Sequence, residues 1–195
     1  MKRCIAVFVA VILMMTLTAC GQDRNREIDK RYRNLESYTA RMQVTVTGNK
    51  DESVYELVQT FLAPENYRTE VLSPKELQGT VSITNGDQMY FVGGDAPAVS
   101  LTQNRTDGAD CLSVADFFRS YFDRGQMEER DGKVLLHVLT ENENSWRTSQ
   151  RMELDAKTLL PETLLVFDRN DNEVLRIEFI DFVPNKTIEK NVFTP

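Results

Sequence analysis

The sequence predicts a mainly β protein (α+β): an incomplete antiparallel β-barrel, or half-barrel, of about nine to eleven strands closed by short helices. Three observations carry this. Apolar residues recur with a period of two in run after run. Short clusters of Gly, Asn, Asp and Pro separate those runs. One strongly apolar helical pattern divides the runs into two groups.

The chain begins with Lys2 and Arg3, then an apolar run from Ile5 to Leu17, then Leu17-Thr18-Ala19-Cys20. Charged start, short apolar stretch and small residues before a cut are the layout of a secretory signal. The run is too short to serve comfortably as a permanent membrane span. Ending on Cys20 and followed by Gly21, the segment resembles a bacterial lipobox. That resemblance implies cleavage before Cys20 and diacylglycerol or acyl lipid on its new N-terminus. The predicted organisation is a signal peptide over 1–19, a lipidated leash over 20–25 and a single domain over 26–195.

From Arg24 to Leu35, Ile28, Tyr32 and Leu35 recur at spacings of four and three, which predicts a short amphipathic helix. Tyr38, Ala40, Met42, Val44 and Val46 then alternate with polar residues, the pattern of a long half-buried strand. After the turn Gly48-Asn49-Lys50-Asp51, further strands are predicted over Ser53 to Leu62, Tyr67 to Leu72, Thr80 to Thr84 and Gln88 to Val92. The last two are joined by Asn85-Gly86-Asp87, a strong hairpin signal. Gly93 to Asp110 reads as a long loop or flap with room for one short strand at Val99 to Gln103. Ser113 can cap a helix running to about Asp123, with Val114, Phe117, Phe118, Tyr121 and Phe122 on one face and Gly125 at its end. The final strands are predicted over Val134 to Thr140, Trp146 to Leu154, Thr158 to Phe167 and Val174 to Val183.

Charge and cysteine use narrow the function. Loss of Lys2 and Arg3 with the signal takes the formal charge from −7 to −9, which argues against nucleic acid and against electrostatic binding to anionic lipid. Attachment to the membrane then rests on acyl chains, of which stable anchoring needs more than one. Cys4 leaves with the signal and Cys20 takes lipid, so Cys111 alone remains and no intrachain disulfide can form. It reads as a small half-buried residue rather than a reactive thiol.

The sequence contains no catalytic constellation. His137 is the one histidine and lies inside an apolar strand. One His and one Cys make no zinc site, and neither a nucleophile elbow nor a phosphate or dinucleotide loop is present. Glu128-Glu129, Asp168 and Asp171 read as solvated carboxylates, and Gly93-Gly94-Asp95 as a loop apex. The expectation is no enzyme, no catalytic residue, no metal and no cofactor beyond the lipid on Cys20. The face of Phe117, Phe118, Tyr121 and Phe122, with Trp146 and Met152, is either core or the lining of a cavity or partner groove.

The segments Leu35-Glu36-Ser37-Tyr38-Thr39-Ala40, Pro64-Glu65-Asn66-Tyr67-Arg68, Ile83 to Tyr90 and Asn191-Val192-Phe193 resemble the LolA/LolB superfamily of bacterial lipoprotein-localisation factors. Val71 to Gly79 resembles its spore-former branch, that of the germination lipoprotein GerS. The superfamily implies an incomplete barrel capped by helices, whose carriers hold acyl chains in the concavity. The branch implies a non-catalytic partner of a spore-cortex N-acetylmuramoyl-L-alanine amidase of the CwlD type, anchored in the intermembrane space of the spore and needed for cortex modification and germination. Two features depart from the carriers: this chain has its own lipobox, and Phe91-Val92-Gly93-Gly94 stands where the carriers have Tyr-x-Pro. Two functions follow as expectations. One is a lipoprotein that binds an amidase or other envelope protein. The other is a carrier or sensor of lipid. A sheet edge left unpaired could also join two copies by strand exchange.

Overall fold

The computed structural model describes residues 23–48, 51–86, 88–93, 99–102, 109–139 and 146–194. The expected signal peptide, Cys20 with half of the leash, and most of the flap lie outside them. Two compact units divide between Asn34 and Leu35.

The first unit contains α1, residues 23–32. Its exposed side is laced by Arg24–Glu27 at 2.7 Å and by Arg33 on Asp29, pairs that sit one turn apart. Ile28 and Tyr32 are buried, the narrow stripe their spacing predicts.

The second unit is one antiparallel sheet of eleven strands. They are β1 (Ser37–Thr47), β2 (Glu52–Leu62), β3 (Asn66–Ser73), β4 (Val81–Asn85), β5 (Gln88–Val92), β6 (Val99–Thr102), β7 (Gln126–Arg130), β8 (Lys133–Leu139), β9 (Ser149–Asp155), β10 (Pro161–Phe167) and β11 (Glu173–Pro184). The order across the sheet is β6-β5-β4-β3-β2-β1-β11-β10-β9-β8-β7. Two meanders therefore run outward from a central pair made of the first and last strands. The sheet does not close, and β6 and β7 are its edges. The segment between these edges carries α2 (Val114–Arg124), which packs on β8. The expected mainly β class and incomplete antiparallel barrel are borne out.

Alternation decides which face is buried. In β1, Tyr38, Ala40, Met42 and Val44 are buried, and in β8, Val134, Leu136 and Val138. Leu164 and Val166 of β10 and Leu175 and Ile177 of β11 join them across the ladder. A side chain fully buried in this way contributes about 1.5–3 kcal/mol.

The turns follow their residues. Asn85 pairs with Gln88, and Gly86 leaves β4 at φ 59°. Asp131 and Gly132, at φ 53° and 77°, join β7 to β8, the paired left-handed geometry that hairpin turns favour.

Three expectations need correction. β7 was not among the predicted strands: Gln-Met-Glu-Glu-Arg has little apolar periodicity, because an edge strand need bury almost nothing. The predicted strand from Thr158 starts only at Pro161. The Oδ1 of Asp155 accepts hydrogen bonds from the Lys157 and Thr158 amides and the Thr158 hydroxyl, holding those residues in a turn. The predicted strand from Trp146 starts at Ser149, after Thr148 donates through its hydroxyl to the Asp168 carbonyl at 2.8 Å. Gly125 ends α2, as expected, in extended backbone at φ −75°. Glycine is required there because an added Cβ would lie 2.1 Å from Cδ2 of Tyr121 and 2.7 Å from its carbonyl oxygen.

Candidate functional site

The inner face of the sheet and α2 meet over a row of aromatic rings. Phe182, Tyr38, Phe61 and Tyr67 lie on β11, β1, β2 and β3 in spatial order. Their successive centroids are 5.2, 5.1 and 5.0 Å apart. Strand register sets the row: Tyr38 pairs with Phe61, and Phe61 with Tyr67. Such ring pairs contribute beyond their burial, by about 0.5–1.5 kcal/mol each.

Polar groups within this apolar row are matched to one another. The Tyr38 hydroxyl donates to Oε1 of Gln59 at 2.6 Å and accepts from the Val114 amide at 3.2 Å. Nε2 of Gln59 donates to the Thr69 hydroxyl at 3.3 Å. Ser113 donates to the Tyr67 hydroxyl at 3.2 Å and accepts from the Asp116 amide at 3.1 Å. The N-cap predicted at Ser113 is thus also the joint between helix and sheet. Burial, above all, pushes the Tyr38 phenol well above its ordinary value, so it stays neutral and acts as a donor.

α2 lays its aromatic face into the same interior. Phe117 and Phe118 are each 1% exposed, and Tyr121 is also buried. Phe117 and Phe118 meet edge to face at 5.6 Å, and Phe118 lies 5.9 Å from Phe122, which is half-buried. Met152 of β9 is fully buried, with Leu154 beside it on the same face. Trp146 is not brought into this set: it sits in the bend before β9 and is 46% exposed. Five of the six aromatic and thioether positions singled out in the sequence therefore carry buried or half-buried side chains, and the indole does not.

His137 lies on the opposite face of β8 from Val134, Leu136 and Val138, half-buried and paired with Arg151 of β9. Burial first, and the Arg151 charge second, lower its pKa from the ordinary value, so it is neutral at pH 7. No acid or nucleophile is set against it at hydrogen-bonding distance among the described residues. Among them too, no group of three or more His, Cys, Asp or Glu could hold a metal ion. Cys111 is buried. The Gln59 link between Tyr38 and Thr69 was missed in sequence, although a lone Gln at a core-facing position of an alternating strand is the signal for it.

Comparison with known proteins gives a consistent fold. The profile of the family described as "Sporulation protein YdcC-like" matches residues 1–193. The sporulation protein YdcC of Bacillus subtilis is 21% identical over 204 residues, covering 98% of this chain and 60% of that protein. The chain thus spans about three fifths of the length of that relative. A LolA superfamily protein from Nitrosomonas europaea superposes with TM-score 0.51 at 10% identity, over 89% of this chain and 97% of that one. The GerS lipoprotein–CwlD amidase complex of Clostridioides difficile provides a match at 24% identity and TM-score 0.48, over 86% of this chain and 94% of that one.

Proposed function

The chain belongs to the sporulation protein YdcC-like family and has the LolA-superfamily fold, and from that premise we propose that it is a non-catalytic, lipid-anchored envelope protein that docks a cell-wall amidase. It is held by acyl chains on Cys20 at the outer side of the cell membrane, which in the spore is the intermembrane space. Its partner is a spore-cortex N-acetylmuramoyl-L-alanine amidase of the CwlD type, as the resemblance of Val71 to Gly79 to the GerS branch implies.

The filled inner face is the observation that carries this reading. A lipid carrier needs an empty concavity lined by apolar side chains. Here, among the described residues, Phe117, Phe118, Met152, Leu154, Leu164 and Ile177 each keep almost no exposed surface. Acyl chains would have to displace them, whereas a docking protein can use its outer surface and keep a packed core. His137, held neutral and without a catalytic neighbour among the described residues, supports a role without chemistry of its own.

The test is reconstitution. The purified chain and the host's cortex amidase are mixed with denuded peptidoglycan, and peptide release is measured with each protein alone and together. Release by the amidase should rise with the chain present, and the chain alone should release nothing. A chain that leaves amidase turnover unchanged, yet takes up a fluorescent fatty acid at one site per molecule, would replace this reading with the carrier.

A further inference from the structure

Between β10 and β11 the sheet splits. The two strands pair from Thr163↔Glu178 to Phe167↔Glu173 and no further. Beyond Glu178, β11 stays with β1, from Met42↔Phe179 to Tyr38↔Pro184. Beyond Thr163, β10 stays with β9, at Pro161↔Leu154. A bulge accompanies each departure: Ile180 is the extra residue opposite β1, and Glu162 the extra residue opposite β9. Bulges bend a strand and end its pairing on one side. The gap they leave is a groove of about 440 Å³, between Phe179–Phe182 and the β9–β10 turn.

Two properties of this groove specify an occupant. First, over Phe179–Val183 no strand among the described residues pairs with β11 on its groove side. Its outward amides and carbonyls form a strand edge inside a slot, ready for an added strand. Secondly, the apolar floor of Phe179, Phe182, Leu160 and Pro161 is rimmed by Asp155, Glu162 and Asp181, against Lys157 as the one cation among the described lining residues. Lys133 pairs with Glu162. Asp181 faces Arg41 across the ladder, but Arg41 is bound to Glu56, so the Asp181 carboxylate makes no ion pair among the described residues. Ile180, 56% exposed, stands at the lip.

We propose that this split receives an extended segment of the partner protein, which adds as a strand to the Phe179–Val183 edge, seats apolar side chains on the floor and presents a basic side chain to Asp181. The inference rests on the docking reading above and names the surface that performs it. Backbone pairing supplies affinity, and the acidic rim selects a cationic strand over an acidic one.

Fluorescence anisotropy of the full chain with a labelled Val-Arg-Val-Lys-Val peptide tests it. Saturable binding is expected. It should weaken about tenfold in Asp181→Lys, which reverses one contact charge. It should be lost when alternate peptide amides are N-methylated, and absent for Val-Glu-Val-Glu-Val. No saturable binding, or binding indifferent to N-methylation and to D181K, would overturn the proposal. Self-association abolished by D181K, without peptide binding, would assign the edge to a second copy and overturn it equally. Asp181 is exposed, so the variant should fold, and circular dichroism verifies this. Amidase stimulation separates the two levels: failure of the unsubstituted chain to stimulate sinks the docking reading itself, whereas full stimulation by D181K sinks only the groove.

Discussion

The phenol oxygen of Tyr38 joins β1, β2 and the N-terminus of α2, since it serves Gln59 and the Val114 amide together. Tyr38→Phe removes that oxygen and leaves both partners buried without it. An unsatisfied buried polar group costs about 1–3 kcal/mol, so the urea midpoint should fall by that equivalent with the fold retained. An unchanged midpoint would mean that water replaces the hydroxyl. A second residue-scale expectation concerns acid. Asn172, through its side chain and then its amide, holds the Asp168 carboxyl below its ordinary value of 3.8. A carboxylate depressed on folding contributes stability that is present above the ordinary value and lost as pH falls through the folded one. Stability should therefore decline as pH drops below 3.8, and Asp168→Asn should flatten part of that decline. Parallel pH profiles of the two proteins in urea would remove Asp168 from the account.

At the scale of elements, α2 was the most legible segment. Its cap at Ser113 and the faces of Phe117, Phe118 and Tyr121 follow from spacing alone, because a helix that must bury one side announces it every three or four residues. Its setting was not legible. Whether those rings line space or fill it depends on what stands opposite, here β8 and the Tyr38 row. Since Phe118 is 1% exposed, Phe118→Ala should cost about 3–5 kcal/mol and, on the docking reading, leave fatty-acid binding at background. Near-native stability with altered lipid uptake would point to an open cavity. β7 shows the converse. Its own residues carry almost no strand signal, yet Asp131-Gly132 is a hairpin turn that requires a strand on each side. The turn was visible, and the strand before it could have been inferred from it.

For the whole molecule, the proposed anchoring is expected to be separable from folding. The proposed lipid anchor on Cys20 lies outside the described residues, whose buried side chains begin at Ile28. Cys20→Ala should leave the circular dichroism and urea midpoint of the exported chain unchanged and move it from the membrane to the soluble fraction. Equal membrane retention of the variant would refute the lipid anchor. Topology adds a consequence at this scale. With the first and last strands paired at the centre of the sheet, both meanders can form locally, but the sheet is complete only once the chain ends meet. Long-range pairing of that kind is the slow part of folding.

What the sequence determined by itself was everything set by local periodicity and local chemistry. That includes the mainly β class, most strand limits to within a few residues, the Asn85-Gly86 hairpin, the capped aromatic helix and the lack of a recognisable catalytic motif. Tertiary structure alone decided the rest. Pairing of β1 with β11 joins residues more than a hundred positions apart, and no window of sequence contains both. Trp146 is left exposed before a strand that begins only after Thr148 bonds to the Phe167–Asp168 corner, and the need for glycine at position 125 is set by the ring of Tyr121. The split at Ile180 and Glu162 arises because β11 and β10 each follow a different neighbour. Alternation tells a strand which face to bury, but it carries no information about which strand will lie beside it or where the two will part.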